Sequence, residues 1–256
     1  MFTNQEIIKT AMRQSALDLN CREADFLKEE NVVVCSKIGA QARAYYKEPI
    51  ACNLVSYGNN VVASVKDAYS ETVKEYIDKF EFYHCFETPN MHWLEGRMNA
   101  YGQQICFMAE YFLPNTERLK RLPCDYKIRV LTQEDFADLY LAQWGNALCE
   151  KRKELDILGV GAYEGGRLIG LAGCSADCAD MWQIGVDVLP KYRKKGIAAA
   201  LTSNLAMEAL ERGKVPFYCC AWSNIRSARN AIKSGFSPAW VEMTVKPKAV
   251  VEELNR

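Results

Sequence analysis

Histidine is almost missing from this chain, with His84 and His92 the only two among 256 residues. That scarcity argues against metal centres and proton relays built on imidazole. The eleven cysteines, at 21, 35, 52, 85, 106, 124, 149, 174, 178, 219 and 220, are odd in number and follow no framework spacing. A disulfide scaffold is excluded on that ground, and a reducing compartment is expected. Cys174 with Cys178, and Cys219 with Cys220, lack a second pair or a neighbouring histidine, so no metal site is expected. Net charge is absent as well, 32 Lys and Arg against 32 Asp and Glu, which speaks against a dedicated nucleic-acid binder. No long apolar run opens the chain, since residues 1–13 mix Asn, Gln, Glu, Lys and Arg among their apolar side chains. The expectation is a cytoplasmic protein without membrane association.

What is present suits a sizeable folded core. Hydrophobic residues make up 49% of the chain, which is long for one domain, so two are expected. Ile7, Ile8, Ala11, Met12, Ala16 and Leu19 recur at helical spacing. Val32–Cys35, Ala51–Tyr57 and the residues after Asn59-Asn60 read as strands, Lys66–Phe80 and Met91–Tyr101 as helices, and Ile105–Leu113 as a strand stopped by Pro114. The polar stretch from Pro114 to Pro123 is taken as a linker between an α+β domain of residues 1–120 and a second domain of residues 121–256. Beyond it, Lys127–Leu131 reads as a strand. Thr132 with Asp135 resembles a capping box opening a helix of Phe136, Leu139 and Tyr140, and Ile157–Cys174 a hairpin turning at Glu164-Gly165-Gly166. The fold class is therefore α+β with a mixed sheet.

One stretch carries chemistry. Val186-Asp187-Val188-Leu189-Pro190 is a strand ended by a proline, and Ile197, Leu201, Leu205 and Ala209 then mark a helix. Between them, Lys191-Tyr192-Arg193-Lys194-Lys195-Gly196 forms a basic turn. A helix start offers unpaired N–H groups and a positive dipole end to a phosphate, and Gly196 and Ala198 leave its approach open. A second strand, Val215–Ala221, leads into another helix whose start carries the N-cap residues Ser223 and Asn224 and whose end is marked by Gly235. Charge is uneven too: residues 181–256 hold twelve Lys and Arg against six Asp and Glu, and the remainder carries the opposite excess. A basic end suits an anionic ligand.

These residues resemble the GNAT superfamily of acetyl-CoA-dependent N-acetyltransferases. Arg193, Gly196 and Ala198 match its phosphate-binding signature, and Asn224, Ser227, Gly235 and Phe236 its later signature, across roughly residues 126 to 245. The resemblance implies a GNAT-like fold preceded by an extra α+β domain, of a bacterial two-domain kind, with acetyl-CoA as cosubstrate. Main-chain groups of Val186 and Val188 are then expected to pair with the pantetheine arm. Arg193, Lys194, Lys195, Gly196, Ile197, Ala198 and Ala199 are expected at the pyrophosphate, and Asn224 and Ser227 at the pantetheine end, where capping is the other reading of Asn224.

Catalysis is less directly written. Many family members carry a tyrosine seven residues after the asparagine, placed to protonate the leaving thiolate, and here that position is Ala231. A water, another side chain such as Tyr218, or no acid at all is expected to serve the thiolate. Asp177, Asp180 and Asp187 are the candidate bases, with Asp180 preferred and Asp187 expected on the opposite strand face from Val186 and Val188. The expected reaction is direct transfer of an acetyl group to a primary amine of a small molecule in a ternary complex. A Cys219 or Cys220 nucleophile is the rival mechanism, and an acetyl-CoA sensor or scaffold and a protein or peptide acetyltransferase are the rival functions. Residues 1–120 are expected to wall the acceptor pocket, and a homodimer is allowed.

Overall fold

The computed structural model describes residues 2–256. In chain order its elements are α1 (Asn4–Leu19), β1 (Val32–Cys35), β2 (Cys52–Ser56), β3 (Val62–Val65), α2 (Ser70–Lys79), α3 (Thr88–Asn99), β4 (Gln103–Pro114) and β5 (Lys127–Thr132). There follow β6 (Asp156–Glu164), β7 (Arg167–Ser175), β8 (Met181–Val188), α4 (Ile197–Glu211), β9 (Val215–Ala221), α5 (Ile225–Lys233), β10 (Phe236–Pro247) and α6 (Lys248–Leu254). This is a mixed α+β fold. No helix among the described residues is long and apolar enough to cross a membrane.

The chain forms two compact units, one of residues through Ala11 with Phe112–Pro238, the other of Met12–Tyr111 with Ala239–Arg256. The division expected at residue 120 is thus corrected at both ends. The reason is strand pairing: Val241–Val245 of β10 lie antiparallel to Ser56–Cys52 of β2, so the C-terminal segment completes the sheet of the unit built from early residues.

In that unit β1 runs parallel to β3, and β2 pairs antiparallel with β3 on one side and β10 on the other. Val73, Tyr76 and Ile77 of α2, at i, i+3 and i+4, and Leu94 and Met98 of α3, at i and i+4, bury one face of each helix in a core with Leu54, Ala63 and Met243. The irregular segment between β1 and β2 is pinned by Arg43, whose side chain is 1% exposed. Its Nε stands 2.9 Å from Asp18 Oδ2 of α1, and one terminal nitrogen donates to the Tyr45 hydroxyl at 2.9 Å and lies 3.4 Å from Glu242 Oε1 of β10. Trp240 Nε1 donates to the same Glu242 oxygen at 2.9 Å, so the buried charges are hydrogen-bonded as well as paired.

The other unit is a sheet in the order β9-β8-β7-β6-β5, antiparallel except for the parallel pair β8 and β9. Ile197, Leu201 and Leu205, one turn apart along α4, pack with Val160, Ile169 and Phe236 on one face of it. The helix expected over Phe136, Leu139 and Tyr140 is corrected to a single 3-10 turn, Gln133–Phe136, although the Thr132 and Asp135 capping box is present. Segment 142–148, which follows, is packed closely on the same sheet. A β-carbon on Gly185 would lie 1.8 Å from Asn146 O, and one on Gly173 2.1 Å from Ala147 O, so backbone lies directly on the sheet where a helix with side chains would stand further off. Trp144, Ala147 and Leu148 fill the space beside Phe136 and Leu171.

Gly185→Ala is accordingly expected to cost about 1–3 kcal/mol of stability or more, seen as a lower urea midpoint; an unchanged midpoint would mean that segment 142–148 yields freely. Asp156 gives a second expectation. Its carboxylate is buried and accepts from Cys149 N at 2.7 Å, and burial pushes its pKa up to about 6. Because the folded value is raised, the native state holds a proton that the unfolded chain, titrating near about 4, has released. This contribution to stability is complete below pH about 4 and lost as pH rises through about 6. Asp156→Asn, which keeps an acceptor for Cys149, should flatten the stability profile between those values, and an unaltered slope would reject the assignment.

Candidate functional site

The parallel pairing of β8 with β9 begins at Met181 with Val215 and ends at Ile184 with Tyr218, while β8 continues to Val188 and β9 to Ala221. The two strands part there. On its other edge β8 stays paired with β7 as far as Val188 opposite Gly170. Leu189 N donates to Ile169 O at 3.0 Å, which assigns the hydrogen-bonded pairs of that ladder to the odd positions of β8. Val186 and Val188 are the even positions, so their N–H and C=O groups turn away from β7 into the space that β9 has left. This is where the expected pairing groups stand, with one qualification. Val188 O already accepts from Arg193 Nε at 2.9 Å.

Side chains account for the parting. The Asp187 carboxylate accepts from Asn146 N at 2.8 Å, Asn146 Nδ2 at 2.6 Å and Ala147 N at 3.0 Å, tying the end of β8 to segment 142–148. On β9, the Tyr218 ring packs against Phe112 and Phe236, with centroids 6.5 and 6.3 Å apart, and its hydroxyl lies 2.7 Å from Ser227 Oγ of α5. Each strand follows its own neighbours. At the fork Gln183 Nε2 donates to Cys219 Sγ at 3.3 Å.

The opening continues into a cleft of about 1060 Å³ lined by Val186, Val188, Arg193, Lys194, Gly196, Ile197, Ala198 and Ala199 on one side and Tyr218, Asn224 and Ser227 on the other. Lys194 and Gly196 adopt left-handed conformations, with φ of 65° and 80°. Left-handed residues within such a turn swing successive N–H groups toward one side. Ala200 N makes the first bond of α4, to Gly196 O at 3.1 Å, and no side chain caps the helix, so the N–H groups of Ile197, Ala198 and Ala199 have no partner within it. The contrast with α5 is informative. There the Asn224 carbonyl oxygen accepts from Ser227 N at 3.2 Å, so that helix start is capped by its own residue.

Other expected residues are placed differently. Lys195 does not line the cleft; its Nζ donates to the Tyr126 hydroxyl at 3.0 Å. Asp180 lies at the closed end of the fork, where its carbonyl accepts from Val215 N at 2.9 Å. At ~3.3 Å per strand residue that end is roughly 15 Å short of Gly185, so strand direction removes Asp180 from the cleft and corrects the preferred base. Asp177 is ion-paired with Arg152, and Asp187 is engaged as described. Ala231 is fully buried in the core beside Tyr218 and presents no polar group. Conversely, Asn146, Gln183, Arg226, Arg229, Asn230 and Lys233 line the cleft although the sequence did not single them out. Their signal was there for α5, since 226, 229, 230 and 233 fall on one helical stripe. Among the described residues, no group of three His, Cys, Asp or Glu is arranged to hold a metal ion.

The family model described as GNAT acetyltransferase matches residues 53–239. The chain belongs to the GNAT acetyltransferase family. The match begins well before residue 126, so part of the segment expected to be an added domain lies within the family's own extent. No curated protein matches. Among solved structures, the chain resembles a GNAT-family acetyltransferase from Novosphingobium aromaticivorans at 18% identity and a TM-score of 0.45, covering 56% of this chain and 66% of that one. It resembles a GCN5-related N-acetyltransferase-like protein from Streptococcus suis at 19% identity and 0.45, covering 60% and 67%. A GNAT-family acetyltransferase from Colwellia psychrerythraea is similar at 13% identity and 0.46, over 78% and 82%. The chain thus spans about two thirds of the length of the first two.

If the start of α4 is the anion site of this GNAT protein, Ala198→Glu places a carboxylate against the helix dipole and fills the approach. Affinity for CoA should fall at least about tenfold, measured by titration calorimetry, with thermal stability little changed. Retained affinity would move the phosphate elsewhere.

Proposed function

We propose that this protein transfers the acetyl group of acetyl-CoA directly to a primary amine of a small molecule, with both substrates bound together. The observation that carries the reading is the continuity of the fork between β8 and β9 with the uncapped start of α4. The cleft has the volume for a long ligand, main-chain groups along one wall, and helix N–H groups at its far end. A CoA molecule presents amides and phosphates in the same order. The residues present fit it: Val186 offers its N–H and C=O to the pantetheine amides, and Ile197, Ala198 and Ala199 offer N–H groups to the pyrophosphate. Bound there, acetyl-CoA supplies an activated acyl group whose carbonyl lies among strand N–H donors.

Tyr218 is the proton donor to the departing thiolate in this reading. Burial raises its pKa above the ordinary tyrosine range, while the hydrogen bond to Ser227 works the other way. The net rise keeps the phenol protonated at neutral pH and able to donate. Its strand position takes over what Ala231 cannot do from the helix. As the C–N bond forms and the C–S bond breaks, the proton the amine loses can return to Tyr218 through the Ser227 hydroxyl, which lies within 2.7 Å of Tyr218 and itself lines the cleft. No protein nucleophile is needed, because Arg193, the loop and the two strand ends position the thioester, and positioning with the acceptor supplies much of the rate.

The test is release of free CoA from acetyl-CoA with aminoglycosides, polyamines, amino acids and basic peptides as acceptors, beside calorimetric binding of acetyl-CoA. Turnover with a small amine is expected. Preference for the peptides would change the acceptor class, and tight binding without turnover on any acceptor would make the protein a sensor. Tyr218→Phe should lower kcat about 100-fold at unchanged KM for acetyl-CoA, and the wild-type rate should show no loss of an essential acid up to pH about 10. A variant with normal kcat would end the role of Tyr218. Cys219→Ala should keep turnover, and its inactivity would favour the covalent route.

A further inference from the structure

The cleft is more cationic than the phosphate turn accounts for. Arg226, Arg229 and Lys233, at i, i+3 and i+7 of α5, all line it, and none is ion-paired among the described residues. Like charges on one helical stripe repel unless something neutralises them. A solvated face is the ordinary explanation of such a stripe, and the three side chains are exposed, but all three also line the one cleft beside the start of α4. Lys233 Nζ lies 4.0 Å from the point where a β-carbon on Gly196 would be, at the head of α4. The stripe is also held in place: Asn230 Nδ2 donates to Thr202 Oγ1 of α4 at 3.1 Å, and Ser234 Oγ to Ala199 O at 3.4 Å.

The turn itself is short of free cations. Arg193 spends its Nε on Val188 O and keeps only its terminal nitrogens for the cleft, and Lys195 is bound to Tyr126 away from it, which leaves Lys194 and the end of Arg193. CoA carries a pyrophosphate and a separate 3′-phosphomonoester, which adds roughly −1.5 to −2 of charge at neutral pH. The N–H groups of α4 provide for the pyrophosphate alone. We propose that Arg226, Arg229 and Lys233 form a second phosphate subsite that takes the 3′-phosphate, so that the protein selects CoA over 3′-dephospho-CoA. This rests on the acetyl-CoA reading above. Lys233 bridges the two phosphate positions, and Arg229, one helical turn back, is about 6 Å further along α5. Arginine suits this task because its planar fork meets a phosphate through two parallel hydrogen bonds.

The experiment is titration calorimetry of CoA and of 3′-dephospho-CoA against the full chain and against Arg226→Gln with Arg229→Gln, and Lys233→Gln separately, with thermal melts as the folding control. The wild type should bind CoA at least about tenfold more tightly than dephospho-CoA. In the double variant the two ligands should converge to within about threefold through loss of CoA affinity alone, since dephospho-CoA has nothing to lose there. Lys233→Gln should weaken both ligands, and CoA more. Equal wild-type affinities, or an equal loss of both ligands in the double variant, overturn the subsite and leave the cofactor reading standing. Binding of neither ligand to the wild type overturns both.

Discussion

The parting of β8 and β9 after Ile184 and Tyr218 is the constraint from which the cleft follows, and it results from competition between partners for two strand ends. The last residues of β8 are committed to β7 and, through Asp187, to the backbone of Asn146 and Ala147. Those of β9 are committed to Phe112, Phe236 and α5 through Tyr218. Neither strand can satisfy the other while holding these contacts. A parallel sheet that stayed zipped would consume the main-chain groups of Val186, and the cleft would hold no donors or acceptors along its wall.

Two glycines make that competition feasible. Without side chains at Gly173 and Gly185, segment 142–148 lies on the sheet closely enough for its amides to reach Asp187. An aspartate that sequence reasoning offered as a base thus shapes the site by fixing backbone, and one offered on strand grounds, Asp180, stands at the wrong end of the strand. Buried Tyr218 gains in the process. The core that holds it also keeps its phenol protonated.

The phosphate end shows a division of labour between backbone and side chains. The head of α4 offers N–H groups with no cap, and the neighbouring helix carries its own cap in Asn224, so an anion is directed to the first. The motif arginine clamps strand to turn through Val188 O instead of extending into the cleft with all its donors. Charge is then supplied from α5, which has no residue in the glycine signature. On the proposed reading, selection of a phosphorylated ligand and the grip on its pyrophosphate would come from different elements.

The strands, the helices with clean spacing, the basic turn before α4 and the family are legible in the sequence. These rest on local rules: a proline that ends a strand, Gly196 where φ is positive, apolar residues one turn apart on α4. The sequence also placed Asp187 on the face opposite Val186, because strand periodicity is local. The features that were not legible are non-local. The passage of residues 239–256 to the earlier unit depends on β10 meeting β2, some 190 residues earlier in the chain. The close seating of segment 142–148 on the sheet depends on glycines of β7 and β8. The turning away of Lys195 depends on Tyr126, and the gathering of Arg226, Arg229 and Lys233 along one cleft depends on where α5 packs. Period and turn chemistry act over a few residues, whereas which strand edges meet and which side chains face one cleft are settled by packing over the whole chain.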